Sequence, residues 1–320
     1  MQVYNFYTRG ESILMKKVIV TGATGFIGYH LIKKLNQENI EVYALCRNNS
    51  KNIFRLSDFS RCHIIYINSW SCDEIIKELE EKEFDVFYHL AWEGASGELR
   101  KDYTIQLNNI LFTCNMIVTA ERLQCKKFIC TGTICENQVE LIYSHKEFIK
   151  SCYYLTAKKS AYQFAQNICK ELEMKLVWCT FYHPIGKYNK KDQLIANTIY
   201  KMLSGDELKF GTAHEWFDII AVEDLCNGLY LAGKFKLSKD RYFIGSGKPQ
   251  RLYEYLEEVK KIIKPDVYMQ YGSLITNDIE MRKEWLDIKE FQIETGYIPQ
   301  YSLYDAVCAT RDWIVHNYGM

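Results

Sequence analysis

Residues 21–28 read TGATGFIG, and this stretch decides the fold. It continues from the short apolar run 16–21, and apolar residues at helical spacing come after it. Glycines placed between a buried strand and a helix are typical of a turn that binds a dinucleotide. We expect Gly22 to permit the tight turn, Gly25 to let the backbone approach a pyrophosphate, and Gly28 to allow close helix–strand packing. The N–H groups and partial positive charge of the helix N-terminus would then bind the phosphates.

Strand-like and helix-like segments alternate beyond this turn. Apolar, β-branched runs predict strands at 16–21, 40–46, 63–67, 84–90, 127–130 and 175–180. Helical spacing of apolar residues predicts helices at 73–82, 103–123 and 154–172. Such alternation is typical of right-handed βαβ units. The sequence therefore predicts an α/β fold: a Rossmann-type doubly wound parallel sheet with a smaller, mixed C-terminal substrate-binding lobe.

The length of 320 residues allows one large unit with a subordinate lobe. Residues 1–14 are expected to be a flexible leader, because Met15 is followed at once by a lysine pair and the first apolar strand. Residues 15–182 would form the dinucleotide-binding Rossmann domain. Residues 183–320 would mainly form the substrate-binding lobe, with residues 216–246 returning to the Rossmann sheet.

The charges of the chain are balanced, with 40 Lys and Arg residues against 40 Asp and Glu residues. This balance gives no reason to expect a nucleic-acid or membrane partner. No apolar run reaches the roughly 18 residues of a membrane-spanning helix, and no secretory signal is recognisable. The twelve cysteines form no C-x-x-C pair and no cluster with ligand spacing. We therefore expect reduced thiols, no metal site and a cytoplasmic location.

Tyr154 and Lys158 form a second chemical signal. They are four residues apart in a predicted helix, so their side chains lie on one face. A tyrosine that acts as a base at neutral pH needs its pKa, near 10, lowered by about 3 units. An adjacent ammonium group and a nicotinamide cation can supply that stabilisation. Such pairs are common on helix surfaces, but together with the glycine turn upstream this pair indicates that Tyr154 and Lys158 are catalytic residues.

The chain resembles the extended short-chain dehydrogenase/reductase family of the NAD-dependent epimerase/dehydratase type, whose members largely modify nucleotide sugars. The TGxxGxxG spacing, the Tyr-x-x-x-Lys pair, DVFYHLA at 85–91 and NILFTCN at 109–115 carry the resemblance, which extends from residue 16 to about 315. It implies that the cofactor is bound by Gly22, Thr24, Gly25, Phe26, Ile27, Gly28, Arg47, Asn68, Leu90, Ala91, Asn109, Tyr154, Lys158 and His183.

The family also needs a Ser or Thr hydroxyl just after the fifth strand, and two registers are open here. The segment 130–136 reads CTGTICE. Aligning Cys135 with the aromatic residue of the family's VYG motif selects Thr131. Aligning Glu136 with the acid of reductases that read GSxxEY selects Thr133. We keep both threonines as catalytic candidates and favour Thr133.

The end of the second strand bears on the choice of cofactor. Family members that use NAD tend to carry an acidic residue there, whereas this strand ends in Arg47. An arginine can pair with a 2′-phosphate but cannot accept a hydrogen bond from a ribose hydroxyl. We therefore expect NADP(H) to be favoured over NAD(H). Asn68 stands where the family usually has an aspartate near the adenine.

Two family motifs depart from the usual pattern in the expected substrate site. Thr180 and His183 replace an Arg and an Asn, and Phe217 replaces a basic residue that often meets the nucleotide diphosphate. His183 could face the sugar or have a structural role at the strand end. Arg282 could hold the pyrophosphate or be an exposed helix charge. The substrate contacts that the resemblance implies are Trp92, Thr133, His183 and Arg282.

The extended branch contains reductases, 4-epimerases and 4,6-dehydratases, and all begin with hydride exchange at a sugar carbon. We favour reduction of an NDP-4-keto-(6-deoxy)hexose at C4, or the reverse oxidation, because Arg47 points to a dinucleotide exchanged with solution. A 4-epimerase is the alternative. A 4,6-dehydratase is less favoured, because the Asp-Glu pair that follows the catalytic Thr is absent in both registers. A non-catalytic dinucleotide sensor is disfavoured, because Tyr154 and Lys158 are both present.

The resemblance also implies the partners of the chain. The substrate would be a nucleotide sugar. A homodimer would form by pairing of the helices predicted at 103–123 and 154–172.

Overall fold

The computed structural model describes residues 10–79, 83–144, 152–274 and 281–320. A seven-stranded parallel sheet forms its centre. The strands in chain order are β1 (Lys17–Thr21), β2 (Glu41–Arg47), β3 (Cys62–Ile67), β4 (Val86–His89), β5 (Lys127–Thr133), β6 (Lys175–Phe181), β7 (His183–Ile185), β8 (Leu208–Lys209), β9 (Trp216–Phe217), β10 (Ile219–Ala221), β11 (Arg241–Phe243), β12 (Gln250–Arg251) and β13 (Met269–Gln270). The helices are α1 (Phe26–Gln37), α2 (Cys72–Glu78), α3 (Tyr103–Arg122), α4 (Val139–Ser144), α5 (Tyr153–Glu171), α6 (Leu194–Ser204), α7 (Val222–Lys234), α8 (Leu252–Ile263), α9 (Lys289–Thr295) and α10 (Leu303–Tyr318).

The main sheet has the strand order β3-β2-β1-β4-β5-β6-β11, and every pair in it is parallel. The direction of winding reverses between β1 and β4, which is where doubly wound folds bind their ligands. The predicted fold class is confirmed. The helix predicted at 73–82 forms as α2, and residues 80–82 lie outside the described residues.

Alternate residues of the central strands contribute to two separate cores. Val18 and Val20 of β1 are buried in the core that contains α1 and α7. Ile19, between them, is buried in the core that contains α3 and α5. Because helices cover both faces of the sheet, the strands are apolar on both sides and appear in the sequence as unbroken apolar runs.

The fifth strand is longer than predicted. The apolar pattern predicts a strand at 127–130, but the ladder continues until Thr133 pairs with Phe181 of β6. Gly132 makes this possible, because a Cβ atom there would lie 2.1 Å from the indole nitrogen of Trp178. Packing between neighbouring strands therefore extends β5 into residues whose polarity does not predict a strand.

The C-terminal part of the chain divides between the main sheet and a smaller lobe. Residues 216–221 form two short strands, β9 and β10, and Val222 begins α7, which packs on α1. β11 joins the main sheet beside β6. The lobe has its own apolar core, whose members include Ile195, Ile199, Leu256 and Val307.

Residues 10–13 are attached to the fold. The N–H group of Ile13 donates to the carbonyl oxygen of Lys234 at 2.7 Å. Backbone groups of residues 11–13 pair with the end of α7 and the chain that follows it, and the flexible leader over residues 1–14 stays a prediction. Residues 1–9 lie outside the described residues.

Lys127, at the start of β5, is a buried cation that joins the sheet to α7. Its ammonium group donates to the carbonyl oxygens of Ala232 at 2.8 Å, Gly233 at 2.9 Å and Phe235 at 2.7 Å. These acceptors lie at and just beyond the C-terminal end of α7, where a helix leaves its carbonyl groups without partners. Burial lowers the pKa of Lys127 to about 8.

Lys127→Met is expected to lower the free energy of unfolding by about 3 kcal/mol, because it leaves buried carbonyl groups without donors. Lys126→Met is the matched control. Lys126 is exposed and pairs with Asp85 at the surface, so its loss should cost less than about 1 kcal/mol. Urea unfolding followed by circular dichroism gives both values, and equal losses would contradict the role assigned to Lys127.

Candidate active site

The glycine turn brings the end of β1 into contact with the end of β4. Gly22 has a φ of +71°, and a Cβ atom there would lie 2.8 Å from the amide nitrogen of Ala91. A Cβ atom on Gly28 would lie 2.1 Å from the carbonyl oxygen of Gly22. Both positions therefore require glycine, and the first turn of α1 is held against the carboxyl ends of the two strands.

The N-terminus of α1 fits the phosphates of a dinucleotide. Gly25 is the N-cap, and among the described residues no side chain caps this end. The first N–H groups, from Phe26 and Ile27 onward, therefore have no side-chain acceptor, and the helix dipole adds positive charge. An anion such as a pyrophosphate would satisfy these donors.

Thr24 connects the glycine turn to the segment that follows β2. Its hydroxyl lies 3.0 Å from the hydroxyl of Ser50. Its carbonyl oxygen accepts a hydrogen bond of 3.1 Å from the guanidinium of Arg55, which also stacks on Tyr188 at 4.1 Å. Ser50 and Arg55 are not predicted from the sequence, because their closeness to the turn depends on the path of a loop without periodic pattern.

Arg47 and Asn68 lie at the carboxyl ends of adjacent strands. Arg47, the last residue of β2, is exposed and pairs in register with Ile67 of β3. The side-chain oxygen of Asn68 accepts a hydrogen bond from Asn48, and its backbone N–H donates to Glu74. Both residues lie at the same edge of the sheet as the glycine turn, because parallel strands end together.

His89 ties β1, β4 and α3 together. Its Nδ1 atom lies 2.9 Å from the hydroxyl of Thr21, and its Nε2 atom lies 3.2 Å from the hydroxyl of Thr113. Burial lowers the pKa of His89 to about 3, so the imidazole is neutral. Leu90 and Ala91, which are predicted to line the cofactor, follow directly at this edge.

Two buried side chains of α3 hold the loop that follows β4. The side-chain nitrogen of Asn109 donates to the carbonyl oxygen of Glu93 at 2.8 Å, and its oxygen accepts the Glu93 N–H at 3.0 Å. Gln106 accepts the indole N–H of Trp92 at 3.0 Å and donates to two backbone carbonyl groups of the loop. Asn109, a predicted cofactor contact, therefore has its side-chain amide bonded on both sides to this loop.

Tyr154 and Lys158 lie on α5 beside the end of β5. Lys158 is buried, and its ammonium group donates to the carbonyl oxygen of Thr131 at 2.7 Å. It also lies 3.7 Å from the ring centroid of Trp92, whose indole meets the ring of Tyr154 edge-on at 6.2 Å. The guanidinium carbon of Arg100 lies 4.5 Å from the centroid of the Tyr154 ring. Trp92, a predicted substrate contact, therefore touches both predicted catalytic residues.

Burial controls the protonation of this pair. It raises the pKa of Tyr154 above its usual value, and Glu136 and Cys135 raise it further, while the positive charge of Arg100 acts in the opposite direction. Burial lowers the pKa of Lys158 to about 8. The protein's own residues thus keep Tyr154 protonated at neutral pH, and a lower pKa requires further positive charge near the phenol.

Thr131 and Thr133 are both buried at the carboxyl end of β5. Thr131 presents its carbonyl oxygen to Lys158. Thr133 is the last residue of the strand; its N–H donates to Glu136 at 2.7 Å, and its hydroxyl accepts the N–H of Cys135 at 3.3 Å. Ligands of open α/β sheets bind outside the carboxyl ends of the strands, and this favours Thr133.

Glu136 is a buried carboxylate in the turn that follows this strand end. It accepts the indole N–H of Trp178 at 3.1 Å and lies 3.4 Å from the guanidinium of Arg241. Burial raises its pKa, while Arg241 lowers it. Because Glu136 also accepts the N–H of Thr133, it fixes the backbone of the turn that carries this hydroxyl.

Two predicted substrate contacts have structural partners. His183 is buried; its Nε2 atom accepts the N–H of Ile195 at 3.5 Å, and its ring packs on Phe217 at 5.3 Å. Burial lowers the pKa of His183 to about 4, so it is neutral. These contacts join β7 to the first turn of α6 and fit the structural alternative. Arg282 is exposed, and its guanidinium lies 5.5 Å from the ring of Trp285.

Positive charge beside Phe217 comes from residues that the motif comparison did not identify. The preceding Trp216 has the guanidinium of Arg251 at 4.3 Å and the ammonium of Lys283 at 4.4 Å from its ring centroid. Arg251 reaches this position because β12 pairs with β9. The smaller lobe therefore carries two cations next to the position where the resemblance leads us to expect one basic residue.

The strand order and the glycine turn define a dinucleotide-binding protein of the doubly wound class, and Tyr154 and Lys158 lie on α5 with the spacing that the resemblance predicts. The chain belongs to the NAD dependent epimerase/dehydratase family, which matches residues 18–245. The resemblance seen in the sequence is confirmed. The protein is an enzyme of a family that acts on nucleotide sugars with a nicotinamide dinucleotide.

One relative and two solved structures show how far the similarity extends. CDP-abequose synthase of Salmonella muenchen is 22% identical over 90% of this chain and 94% of its own. UDP-glucuronic acid 4-epimerase of Bacillus cereus, solved in complex with NAD, has a TM-score of 0.73 at 20% identity and covers 94% of this chain and 99% of its own. UDP-N-acetylglucosamine 4-epimerase of Methanobrevibacter ruminantium has a TM-score of 0.77 at 18% identity and covers 95% of this chain and 100% of its own. At such identities the similarity to the solved structures establishes the fold alone.

None of the helices that the structure describes combines the length and apolar character needed to cross a membrane. The described residues also contain no group of three or more His, Cys, Asp or Glu side chains placed to hold a metal ion.

Proposed function

We propose that the chain is an NAD(P)-dependent nucleotide-sugar oxidoreductase that reduces an NDP-4-keto-(6-deoxy)hexose at C4, or catalyses the reverse oxidation. The observation that carries the proposal is the environment of Tyr154, which packs against Trp92 and Arg100 one helical turn from Lys158. Reduction of a ketone needs a proton donor at the carbonyl oxygen. Because burial raises the pKa of Tyr154, its phenol is protonated at neutral pH and can act as this donor.

Each residue has one task in this proposal. A bound nicotinamide would supply the hydride to the sugar carbon, or accept it in the reverse direction. Tyr154 would give its phenolic proton to the oxygen on that carbon, and Thr133 would donate a hydrogen bond to the same oxygen. Lys158, anchored on the carbonyl of Thr131, would contact the cofactor and favour the phenolate left on Tyr154.

The cofactor proposal follows from the residues after β2. This strand ends in an exposed Arg47, and Arg55 adds a second guanidinium that is bonded to the carbonyl of Thr24 in the glycine turn. Two guanidinium groups suit a 2′-phosphate, since Arg donates to phosphate oxygens and accepts nothing from a ribose hydroxyl. We therefore propose that NADP(H) is favoured over NAD(H), although the similar Bacillus cereus epimerase was solved with NAD.

A 4-epimerase is the second candidate. The solved structures of similar fold include two nucleotide-sugar 4-epimerases, and this favours it. A 4,6-dehydratase has less support, because Thr133 is followed by Ile134 and Cys135 where an acid–base pair would be required. The nearby Glu136 is buried and paired with Arg241.

The oligomeric proposal is a homodimer formed through α3 and α5. Tyr103, Leu107, Leu111 and Val118 form an exposed apolar stripe along one face of α3, and Phe164 of α5 is also exposed. The two helices pack side by side, so their exposed faces form one surface. A large contiguous apolar surface on a soluble domain marks an interaction site.

The bound dinucleotide distinguishes the two reactions. We expect the purified protein, once denatured, to release less than one dinucleotide per chain, because a reductase exchanges its cofactor with solution. The protein should then bind NADPH about tenfold more tightly than NADH, by titration of nicotinamide fluorescence. NAD or NADH retained near one per chain would contradict the reductase and favour the epimerase.

The cofactor preference has its own matched variants. Arg47→Gln should abolish the preference for NADPH, whereas Lys77→Gln, which removes an exposed cation on α2, should leave it unchanged. An unchanged preference in Arg47→Gln would show that this guanidinium does not contact the 2′-phosphate.

Tyr154→Phe is expected to lower kcat about 1000-fold while leaving the dinucleotide Kd within twofold, because only the proton donor is lost. Thr133→Val should lower kcat about 100-fold, and Thr131→Val, the matched control, should lower it much less. Oxidation of NADPH with an NDP-4-keto-6-deoxyhexose, followed at 340 nm, measures all three. A larger loss in Thr131→Val than in Thr133→Val would reverse the assignment of the two hydroxyls.

The dimer is tested by replacing an apolar residue of the stripe. The native protein should have twice the chain mass of 37.8 kDa in light scattering, and Leu111→Glu should halve it. Ile298→Glu is the matched control, because Leu111 and Ile298 have the same exposure of 61% and Ile298 lies outside α3 and α5. A dimer that survives in Leu111→Glu would rule out this interface.

A further inference from the structure

The charged guanidinium of Arg100 lies over the ring of Tyr154, the proposed proton donor. Its guanidinium carbon lies 4.5 Å from the centroid of the Tyr154 ring. Arg100 belongs to the short 3₁₀ turn Glu98–Lys101, which ends at Asp102, the N-cap of α3. Within the described parts of the chain, no carboxylate forms an ion pair with Arg100, whereas the adjacent Lys101 pairs with Glu98 at 3.0 Å.

The position of this turn is held by one buried side chain. Gln106 of α3 donates to the carbonyl oxygens of Gly94 and Leu99, both at 3.1 Å, and accepts the indole N–H of Trp92 at 3.0 Å. Gly94 has a φ of +66°, and a Cβ atom there would lie 2.7 Å from the carbonyl oxygen of Leu99. These contacts fix the loop from Gly94 to Leu99, and Arg100 follows directly after it, next to Tyr154.

The ammonium group of Lys158 contacts groups other than the ring of Tyr154. Its ammonium group is bonded to the carbonyl oxygen of Thr131 at 2.7 Å and lies over Trp92 at 3.7 Å. In the part of the chain that the structure describes, Arg100 is thus the cation in contact with the ring of Tyr154. A cation over an aromatic ring is attracted to its face, and the attraction is stronger for a phenolate, because a full negative charge is added.

The groups that face Tyr154 from the neighbouring elements have opposite effects. Burial by these elements raises the pKa of Tyr154 most, and among the described residues Arg100 is the neighbouring group that lowers it. Glu136 and Cys135, on the turn after β5, raise it. Removing Arg100 therefore leaves a carboxylate and a thiol beside the phenol without the cation that opposes them.

We propose that Arg100 is a positioning residue for Tyr154: it holds the ring against Trp92 and stabilises the phenolate that remains after the proton has been given to the substrate. This inference rests on the proposed function, since it concerns the same tyrosine. It assigns a catalytic task to a loop residue that belongs to none of the family motifs identified in the sequence.

The test measures the ionisation of Tyr154 without any substrate. 3-Fluorotyrosine is incorporated at position 154 of the full chain, and its ¹⁹F chemical shift is followed against pH in the presence of saturating NADP⁺. The variants are Arg100→Met, Arg100→Lys and the matched control Lys101→Met, which removes the neighbouring cation. All are compared in the same fluorinated background, and circular dichroism verifies that each is folded.

Arg100→Met should raise the apparent pKa of residue 154 by roughly one unit, since an opposite charge at this distance typically shifts a pKa by one unit or more. Arg100→Lys should restore at least half of the shift, and Lys101→Met should titrate like the parent protein. A merely structural loss would not be corrected by lysine. If Arg100→Met and the parent titrate together, the proposal is overturned.

Kinetics with the sugar nucleotide add a second readout. The pH profile of kcat/KM should shift in Arg100→Met by the same amount as the ¹⁹F titration. A higher KM with an unchanged pH profile would make Arg100 a substrate contact only and would overturn the proposal. If no sugar nucleotide is turned over but the ¹⁹F shift is present, the proposed function fails and the electrostatic role of Arg100 stands.

Discussion

Only glycine at position 28 lets α1 approach β1 as closely as it does, because any Cβ atom there would overlap with the carbonyl oxygen of Gly22. The position of α1 sets the direction of its N-terminus, which no described side chain caps and which can therefore bind an anion. α7 packs on the same helix, and β11 follows α7 back into the sheet. Other parts of the molecule therefore depend on this single close contact of two backbones.

Buried charges determine the chemistry at the carboxyl end of the sheet. Lys158 and Glu136 are both enclosed, and each is stabilised by several partners rather than by one opposite charge. Burial raises the pKa of Tyr154 and lowers the pKa of Lys158 to about 8. At neutral pH Tyr154 is therefore a neutral acid, and Lys158 loses its proton more readily than a free lysine. An acid of this kind suits the delivery of a proton to a developing alkoxide.

The surface around Trp216 brings together charges that are distant in the sequence. The preceding motif has Phe217 where the resemblance leads us to expect a basic residue, and Phe217 packs against His183 inside the smaller lobe. Cations lie instead close to the ring of Trp216, from β12 and from the turn that precedes α9. Cations from two separated segments thus lie next to one ring, and a motif comparison along the chain cannot detect them.

By itself, the sequence determined the parallel sheet, the glycine turn and the Tyr154–Lys158 pair, since each depends on residues close together in the chain. Tertiary packing sets the length of β5 and the attachment of residues 10–13. It also sets the hydrogen bonds of Gln106 to the loop that follows β4. The same packing brings Arg100 to Tyr154, which is more than fifty residues away in the sequence. Local spacing encodes strand, helix and turn, whereas contacts between distant segments depend on how buried polar groups find partners when the elements pack.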